Sequence, residues 1–325
     1  IGVTAGIEST IAPADWVEGC NRMDLILGSS KHTVDILKNS KFQKQDKQTN
    51  QIVGNIELTK PIEILFEGFN QDIYKKNVPF KAIKTGMKLK VKEEFCYLFV
   101  GHWIQGDFGH DRKNIGLLIK SFCETFKNKP KQPALILKTA HAGSSYMDRD
   151  LILKKIKEIK KTVRGKCPSV YLLHGDFTDS EVNELYNHPK VKAMVSLTKG
   201  EGFDFLKPDM SILLPGTLNE VHPSARNKWL IEGSKWFDVD VMQLGRVLKD
   251  TYKKYKGFIP NAKRQAHYCK ENFSYNKMKD LLGEILDKNV KKSPKQVPLK
   301  LPKLKKIGGN ELPKLELPKL KKIEV

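Results

Sequence analysis

Short apolar runs alternate with stretches of helical period along most of this chain. Asp24-Leu25-Ile26-Leu27-Gly28 has no polar residue after its first and ends in Ser29-Ser30, which predicts a buried strand followed by a turn. Ser30 is placed to cap a helix through Lys38, with Val34 and Leu37 on its inner face. Trp16-Val17-Glu18-Gly19-Cys20-Asn21 predicts a short helix, and Gly6-Ile7-Glu8-Ser9-Thr10 reads as a turn. Residues 39–55 are rich in Lys, Gln, Asn and Asp and show no period, so an exposed loop or insertion is expected there. Ile62 to Asn70 resumes with a strand and a glycine turn. The basic, irregular residues 71–93 suit a crossover between domains.

From Phe95 the alternation becomes regular. Strands are predicted at Phe95–Gly101, Ala134–Thr139, Val170–Gly175 and Met194–Thr198. Helices are predicted from Lys113 to Phe126, from Asp148 to Val163, and from Thr178 or Asp179 to Asn187. The strands are apolar throughout, the pattern of parallel strands covered on both faces. The fold class is therefore α/β, with a Rossmann-type parallel sheet. Residues 204–236 are less regular, with a short strand and turn expected at Ile212-Leu213-Leu214-Pro215-Gly216. Further helices are expected from Val239 to Tyr255 and from Met278 to Leu286.

Composition changes this picture mainly at the two ends. Ile1-Gly2-Val3-Thr4-Ala5 has no basic leader and reads as an internal strand rather than a signal peptide. Near the other end, Leu301-Pro302-Lys303-Leu304-Lys305-Lys306-Ile307 recurs as Leu317-Pro318-Lys319-Leu320-Lys321-Lys322-Ile323, with a partial copy at Leu312-Pro313-Lys314-Leu315-Glu316. Pro294, Pro298, Pro302, Pro313 and Pro318 oppose helix, so 291–325 is expected to be a disordered Lys/Pro-rich tail. This tail carries 11 Lys and 3 Glu, a net +8 of the chain's +21. Such an excess suits anionic partners. With 39% apolar and 29% charged residues, the chain can build a sizeable core that leaves part of its length outside. No apolar run is long enough to predict a transmembrane helix. The five cysteines are odd in number, far apart and without a Cys-x-x-Cys pair, which predicts reduced thiols in a cytosolic compartment and no zinc or redox motif.

In an open α/β sheet, ligands bind beyond the carboxyl ends of the strands. Here those ends carry His102, Lys138, His174 with Asp176, and Glu201. Gly101, Gly175, Gly200 and Gly202 allow backbone N–H groups to come close to a ligand. Glu201, set between two glycines after a buried strand and followed by Phe203, is a carboxylate that needs a partner. Asp111-Arg112-Lys113-Asn114 opens a helix whose N–H groups, together with Lys113, suit a diphosphate.

These pieces, in this order, resemble the nucleotide-sugar-binding half of retaining glycosyltransferases of group 1, also called family four, which have the GT-B architecture. The resemblance runs from about Ile64 to Phe273. Leu65-Phe66-Glu67-Gly68-Phe69-Asn70 is similar to the family's turn into its second domain. Phe99-Val100-Gly101-His102 with Arg112-Lys113-Asn114-Ile115 is similar to its Val-Gly-Arg … Lys-Gly/Asn element, where a basic pair grips the donor diphosphate. Leu173-His174-Gly175-Asp176-Phe177 looks like the segment bordering the nucleoside. Ser196-Leu197 and Gly200-Glu201-Gly202-Phe203 look like the front of the Glu-x7-Glu motif.

The resemblance implies a partial acceptor domain at 1–60, a crossover at 61–93, a donor-binding domain at 94–290 and the tail at 291–325. It implies a donor site made by His102, Lys113, Lys138, Gly175, Asp176, Gly200, Glu201, Gly202 and Phe203. No metal and no cofactor beyond the nucleoside-diphosphate sugar are implied. The chain departs from the family in two places. Its first domain is short, so the acceptor site and the catalytic-region histidine have no counterpart. After Phe203, a helix, a Gly-x-Pro-Val segment and a strand are missing, and Asp209 falls in the register of the motif's second carboxylate.

The expected function is transfer of a sugar to a glycan, lipid or protein hydroxyl with retention, or, as the chain is written, an inactive relative. A nucleotide-sugar or glycan-binding module without activity and a basic nucleic-acid-binding protein are the alternatives. The location expected is cytoplasmic, with peripheral contact to an anionic membrane through the tail.

Overall fold

The computed structural model describes residues 1–290 except 7, 47, 77–88, 142 and 198–203. The chain opens with β1 (Gly2–Thr4), α1 (Ala14–Asn21), β2 (Ile26–Gly28) and α2 (Lys31–Asn39). Ser30 caps α2 as expected: its hydroxyl accepts the Thr33 N–H, and Val34, Ile36 and Leu37 are buried. The predicted loop at 39–55 is instead an antiparallel hairpin of β3 (Phe42–Gln45) and β4 (Ile52–Ile56). Phe42 and Ile56 pack on the core while most of the hairpin is exposed, Ile52 and Val53 included, so its strands show no buried face in the sequence. The Asp46 carboxylate organises its turn by accepting the N–H groups of Gln48 and Thr49. β5 (Ile62–Ile64) then pairs with β2, completing a parallel sheet of order β1-β2-β5.

The second sheet follows the predicted alternation: β6 (Cys96–Val100), α3 (Ile115–Phe126), β7 (Ala134–Lys138), α4 (Tyr146–Lys161), β8 (Val170–Leu173), α5 (Asp179–Tyr186) and β9 (Val191–Met194). The four strands are parallel, in the order β8-β7-β6-β9. Cys96, Tyr97, Leu98 and Phe99 of the inner strand β6 are at most 2% exposed. Tyr97, Phe99, Leu135 and Leu137 pack with α3 and α4 on one face, and Cys96, Leu98, Ala134 and Ile136 pack with Leu185 of α5 on the other. α5 begins with the capping box that Thr178 and Glu181 predict. β9 ends at Met194, earlier than the strand expected at Met194–Thr198, although the Val195 N–H still donates to Leu98 O. Gly200, Glu201, Gly202 and Phe203 lie outside the described residues, as do the tail 291–325 and part of the 71–93 crossover.

β10 (Gly216–Glu220) and β11 (Lys235–Val239) form an antiparallel ribbon with one 3-10 turn, Pro223–Ala225, between them. The strand expected at Ile212–Gly216 is absent: Ile212 and Leu213 are exposed, and pairing begins only at Gly216. α6 (Val241–Asn272) runs well past the predicted Tyr255, with non-helical backbone at Lys254 (φ −110°, ψ 21°) ahead of Pro260. α7 (Tyr275–Asn289) returns to the first sheet. Its Leu281, Leu282 and Ile285 pack with Leu25, Leu27 and Leu65, and Lys288 Nζ lies 2.7 Å from Glu63 Oε1. Ile1–Asn289 thereby form one compact unit. All five cysteines are free thiols, and burial pushes Cys96 up to about 11.

Candidate functional site

The polar residues beyond the carboxyl ends of the second sheet fall into two groups. The first is set by the turn that opens α3. Asp111 is buried, and its Oδ1 accepts the N–H groups of Lys113 and Ile115, each at 3.2 Å. Asn114 sits in the left-handed region at φ 49°. Arg112 and Lys113 reach a single acceptor: Arg112 Nη1 lies 2.7 Å and Lys113 Nζ 3.1 Å from Glu8 Oε1.

Glu8 comes from the first sheet, just beyond β1, and its side chain is 1% exposed. Its turn is pinned on both sides. The Gly6 N–H donates to Thr33 Oγ1 at 2.8 Å, and the Thr10 N–H donates to Lys235 O at 2.8 Å. Ser9 bridges Trp236 of β11. A Cβ on Gly6 would stand 2.8 Å from Ile36 Cδ1, so glycine permits the close approach. The carboxyl edges of the two parallel sheets thus meet at two cations and one carboxylate. Glu8 Oε2 and Arg112 Nε are buried and have no hydrogen-bond partner among the described residues. Buried polar atoms are costly in that condition, which makes this cluster suited to a further polar group.

The second group centres on Asp148 in the first turn of α4. Its Oδ2 accepts from His174 Nε2 at 2.8 Å and from the His141 N–H at 3.0 Å. His102 Nδ1 lies 3.1 Å from His141 O. Burial pushes the Asp148 carboxyl up, but the His174 hydrogen bond, the His141 N–H and the charges of both imidazoles outweigh it and hold the carboxyl below the usual range. A carboxyl depressed in this way adds stability above its unfolded value of about 3.9, and that stability is lost as pH falls through the folded value. Asp148→Asn is therefore expected to be less stable than wild type at neutral pH, with the gap narrowing as pH falls below the unfolded carboxyl value of about 3.9. Urea unfolding at stepped pH checks this, and a gap independent of pH would contradict it.

Lys138, at the end of β7, donates to Gly175 O at 2.7 Å and lies 4.5 Å from the centre of the Phe177 ring. Gly175 has φ 116°, a conformation that favours glycine, and a Cβ there would meet only open space. Asp176 Oδ1 accepts from Ser144 Oγ at 2.9 Å. Burial lowers the Lys138 pKa, and the Asp176 charge acts against it. Lys155 links the two groups: its ammonium lies over the Trp103 ring, and the charges of Asp111 and Asp148 both act on it, opposing the burial that lowers its pKa.

Of the residues singled out in the sequence, Lys138, Gly175 and Asp176 come together, His102 joins the Asp148 group, and Lys113 turns to Glu8. Asp209 is exposed and accepts from Arg264 Nη2 at 2.6 Å. Sequence reasoning missed Glu8, Arg112, His141 and Asp148 as site residues. Glu8 carries the same signal as Glu201, an acid just past a short apolar strand, but its position in a polar turn hides its burial. Among the described residues, no group of three His, Cys, Asp or Glu side chains is arranged to hold a metal. A groove of about 570 Å³ lies elsewhere, against β1 and α1, lined by Thr4, Asp15, Trp16, Met23 and Trp229 among others.

No family model and no curated protein matches the chain. Solved structures do. Sucrose-phosphate synthase from Thermosynechococcus elongatus superposes with a TM-score of 0.55 at 12% identity, over 84% of this chain and 60% of that one. Anabaena HepE in complex with UDP gives a TM-score of 0.52 at 12% identity, over 88% of this chain and 72% of that one. HepE in complex with UDP and glucose gives 0.51 at 13% identity, over 84% and 66%. The chain thus spans about three-fifths of the synthase it resembles. Its fold is α/β with parallel sheets, of the GT-B type.

Proposed function

We propose that this chain is a glycosyltransferase that moves a sugar from a nucleoside-diphosphate donor to an acceptor hydroxyl with retention. The observation that carries this reading is the pair Arg112 and Lys113, turned from the start of α3 to the meeting edge of two parallel sheets. In transfer, the bond from the anomeric carbon to the diphosphate oxygen breaks and the acceptor oxygen takes its place. The acceptor proton leaves with the diphosphate. Two cations beside the leaving group stabilise the charge that develops there. HepE has been crystallised with UDP and glucose, and a donor of that chemical class fits this reading.

In the same reading, Lys138, Gly175 and Asp176 border the nucleoside, His102 supports the donor, and Gly200, Glu201, Gly202 and Phe203 hold its hydroxyls. No metal or further cofactor is invoked. No helix among the described residues is long and apolar enough to cross a membrane. We place the chain in the cytoplasm, with the net +8 of residues 291–325 drawing it to anionic surfaces.

The test is transfer itself. The protein is supplied with UDP-, GDP- and ADP-sugars and a panel of hydroxyl acceptors, and nucleoside diphosphate release and product anomer are followed by NMR. The expected result is release with retained configuration, lost in Glu201→Ala. Donor binding without release would leave a binding module instead, and an inverted product would contradict the mechanism.

A further inference from the structure

We infer that Glu8 reads the sugar of the donor, which rests on the donor-site reading above. Glu8 divides its two oxygens. Oε1 takes both cations, at 2.7 Å from Arg112 Nη1 and 3.1 Å from Lys113 Nζ. Oε2 is buried and meets no hydrogen-bond donor among the described residues. An ionised carboxylate only accepts hydrogen bonds, so Oε2 can be satisfied only by a donor. Phosphate oxygens cannot supply one, whereas the hydroxyls of a hexose can. A diphosphate held by Arg112 and Lys113 carries its hexose on the terminal phosphate. The sugar hydroxyls are then the donors brought closest to a carboxylate that shares those cations.

Charge is consistent with this role. Both cations share one Glu8 oxygen, so Glu8 alone does not cancel them. Placement is consistent as well. Thr33 and Lys235 hold the backbone on either side of Glu8, at Gly6 and Thr10, and the two cations hold its Oε1. Glu8 is in addition a positioning residue, because Oε1 fixes the two cations relative to each other.

Glu8→Gln separates these contributions. The amide oxygen can still receive Arg112 and Lys113, while an NH2 group replaces the oxygen that accepts the sugar. Binding of UDP, GDP and ADP is compared with that of UDP-glucose, GDP-mannose and ADP-glucose by calorimetry. A hydrogen bond to a charged acceptor corresponds to roughly 10- to 100-fold in affinity. Glu8→Gln is expected to weaken the sugar-bearing form at least about tenfold more than the matching diphosphate. Equal weakening of both forms, or no change in either, would overturn the inference. If wild type binds none of the six compounds, the donor-site reading fails first and Glu8 loses its role with it. If Glu8→Gln does not fold, a crystal structure of wild type with the bound nucleotide sugar decides. Glu8 Oε2 within hydrogen-bond distance of a sugar hydroxyl supports the inference, and all hydroxyls held by other groups overturn it.

Discussion

Arg112→Ala and Lys113→Ala, combined in one chain, are expected to abolish measurable nucleoside-diphosphate binding and to destabilise the protein. Each lost charge-assisted hydrogen bond is worth about 1.5–3 kcal/mol, so the pair amounts to roughly 100- to 10,000-fold in affinity. Stability falls for a different reason. Glu8 is 1% exposed, and both cations lie on its Oε1. Without them a buried carboxylate is left unpaired, which costs about 3–5 kcal/mol. Adding Glu8→Gln to the double variant should restore much of that stability and none of the binding. Urea unfolding and calorimetry read the two effects separately. A double variant as stable as wild type would mean that Glu8 is not held by these cations.

Phe99→Ala is expected to cost about 3–5 kcal/mol. Phe99 lies on the inner strand β6, is fully buried, and packs in the core shared with α3, α4 and α6. A truncation there leaves a cavity that parallel strands on both sides cannot collapse into. Leu218→Ala on β10 is the control. Leu218 is 57% exposed, and its loss should change stability by no more than about 0.5 kcal/mol. Chemical denaturation compares the two, and similar losses would contradict the placement of β6 at the centre of the core.

What could be read from the sequence follows from burial. β6, β7 and β8 are covered on both faces, so their runs are apolar throughout and stand out. α2 and α5 carry their start signals in Ser30 and in the Thr178–Glu181 box, and both were legible. The β3–β4 and β10–β11 ribbons were not. They bury few side chains, Trp236 fully and Phe42 and Ile56 in part, while Ile52, Val53 and Leu218 face solvent beside polar neighbours, so no continuous buried run marks them. β9 was placed late because the apolar run Met194–Leu197 continues past the last paired residue, and Leu197 is buried without being in the strand.

The site divides in the same way. Lys138, Gly175 and Asp176 lie at the ends of β7 and β8, and Lys113 at the start of the helix that follows β6, so topology locates them. Glu8 belongs to the other sheet and meets Lys113 only through the fold of the whole unit, a relation that local spacing does not contain. Asp148 sits inside a basic helix, where it reads as one of many charges until His141 and His174 are seen to converge on it.

The claim that a nucleoside diphosphate binds where the two sheets meet is tested most directly by titrating wild type with UDP, GDP and ADP, with and without inorganic pyrophosphate. At least one of the three is expected to bind, and pyrophosphate to compete with it for Arg112 and Lys113. Absence of binding for all three, or binding that pyrophosphate leaves unchanged, would contradict it.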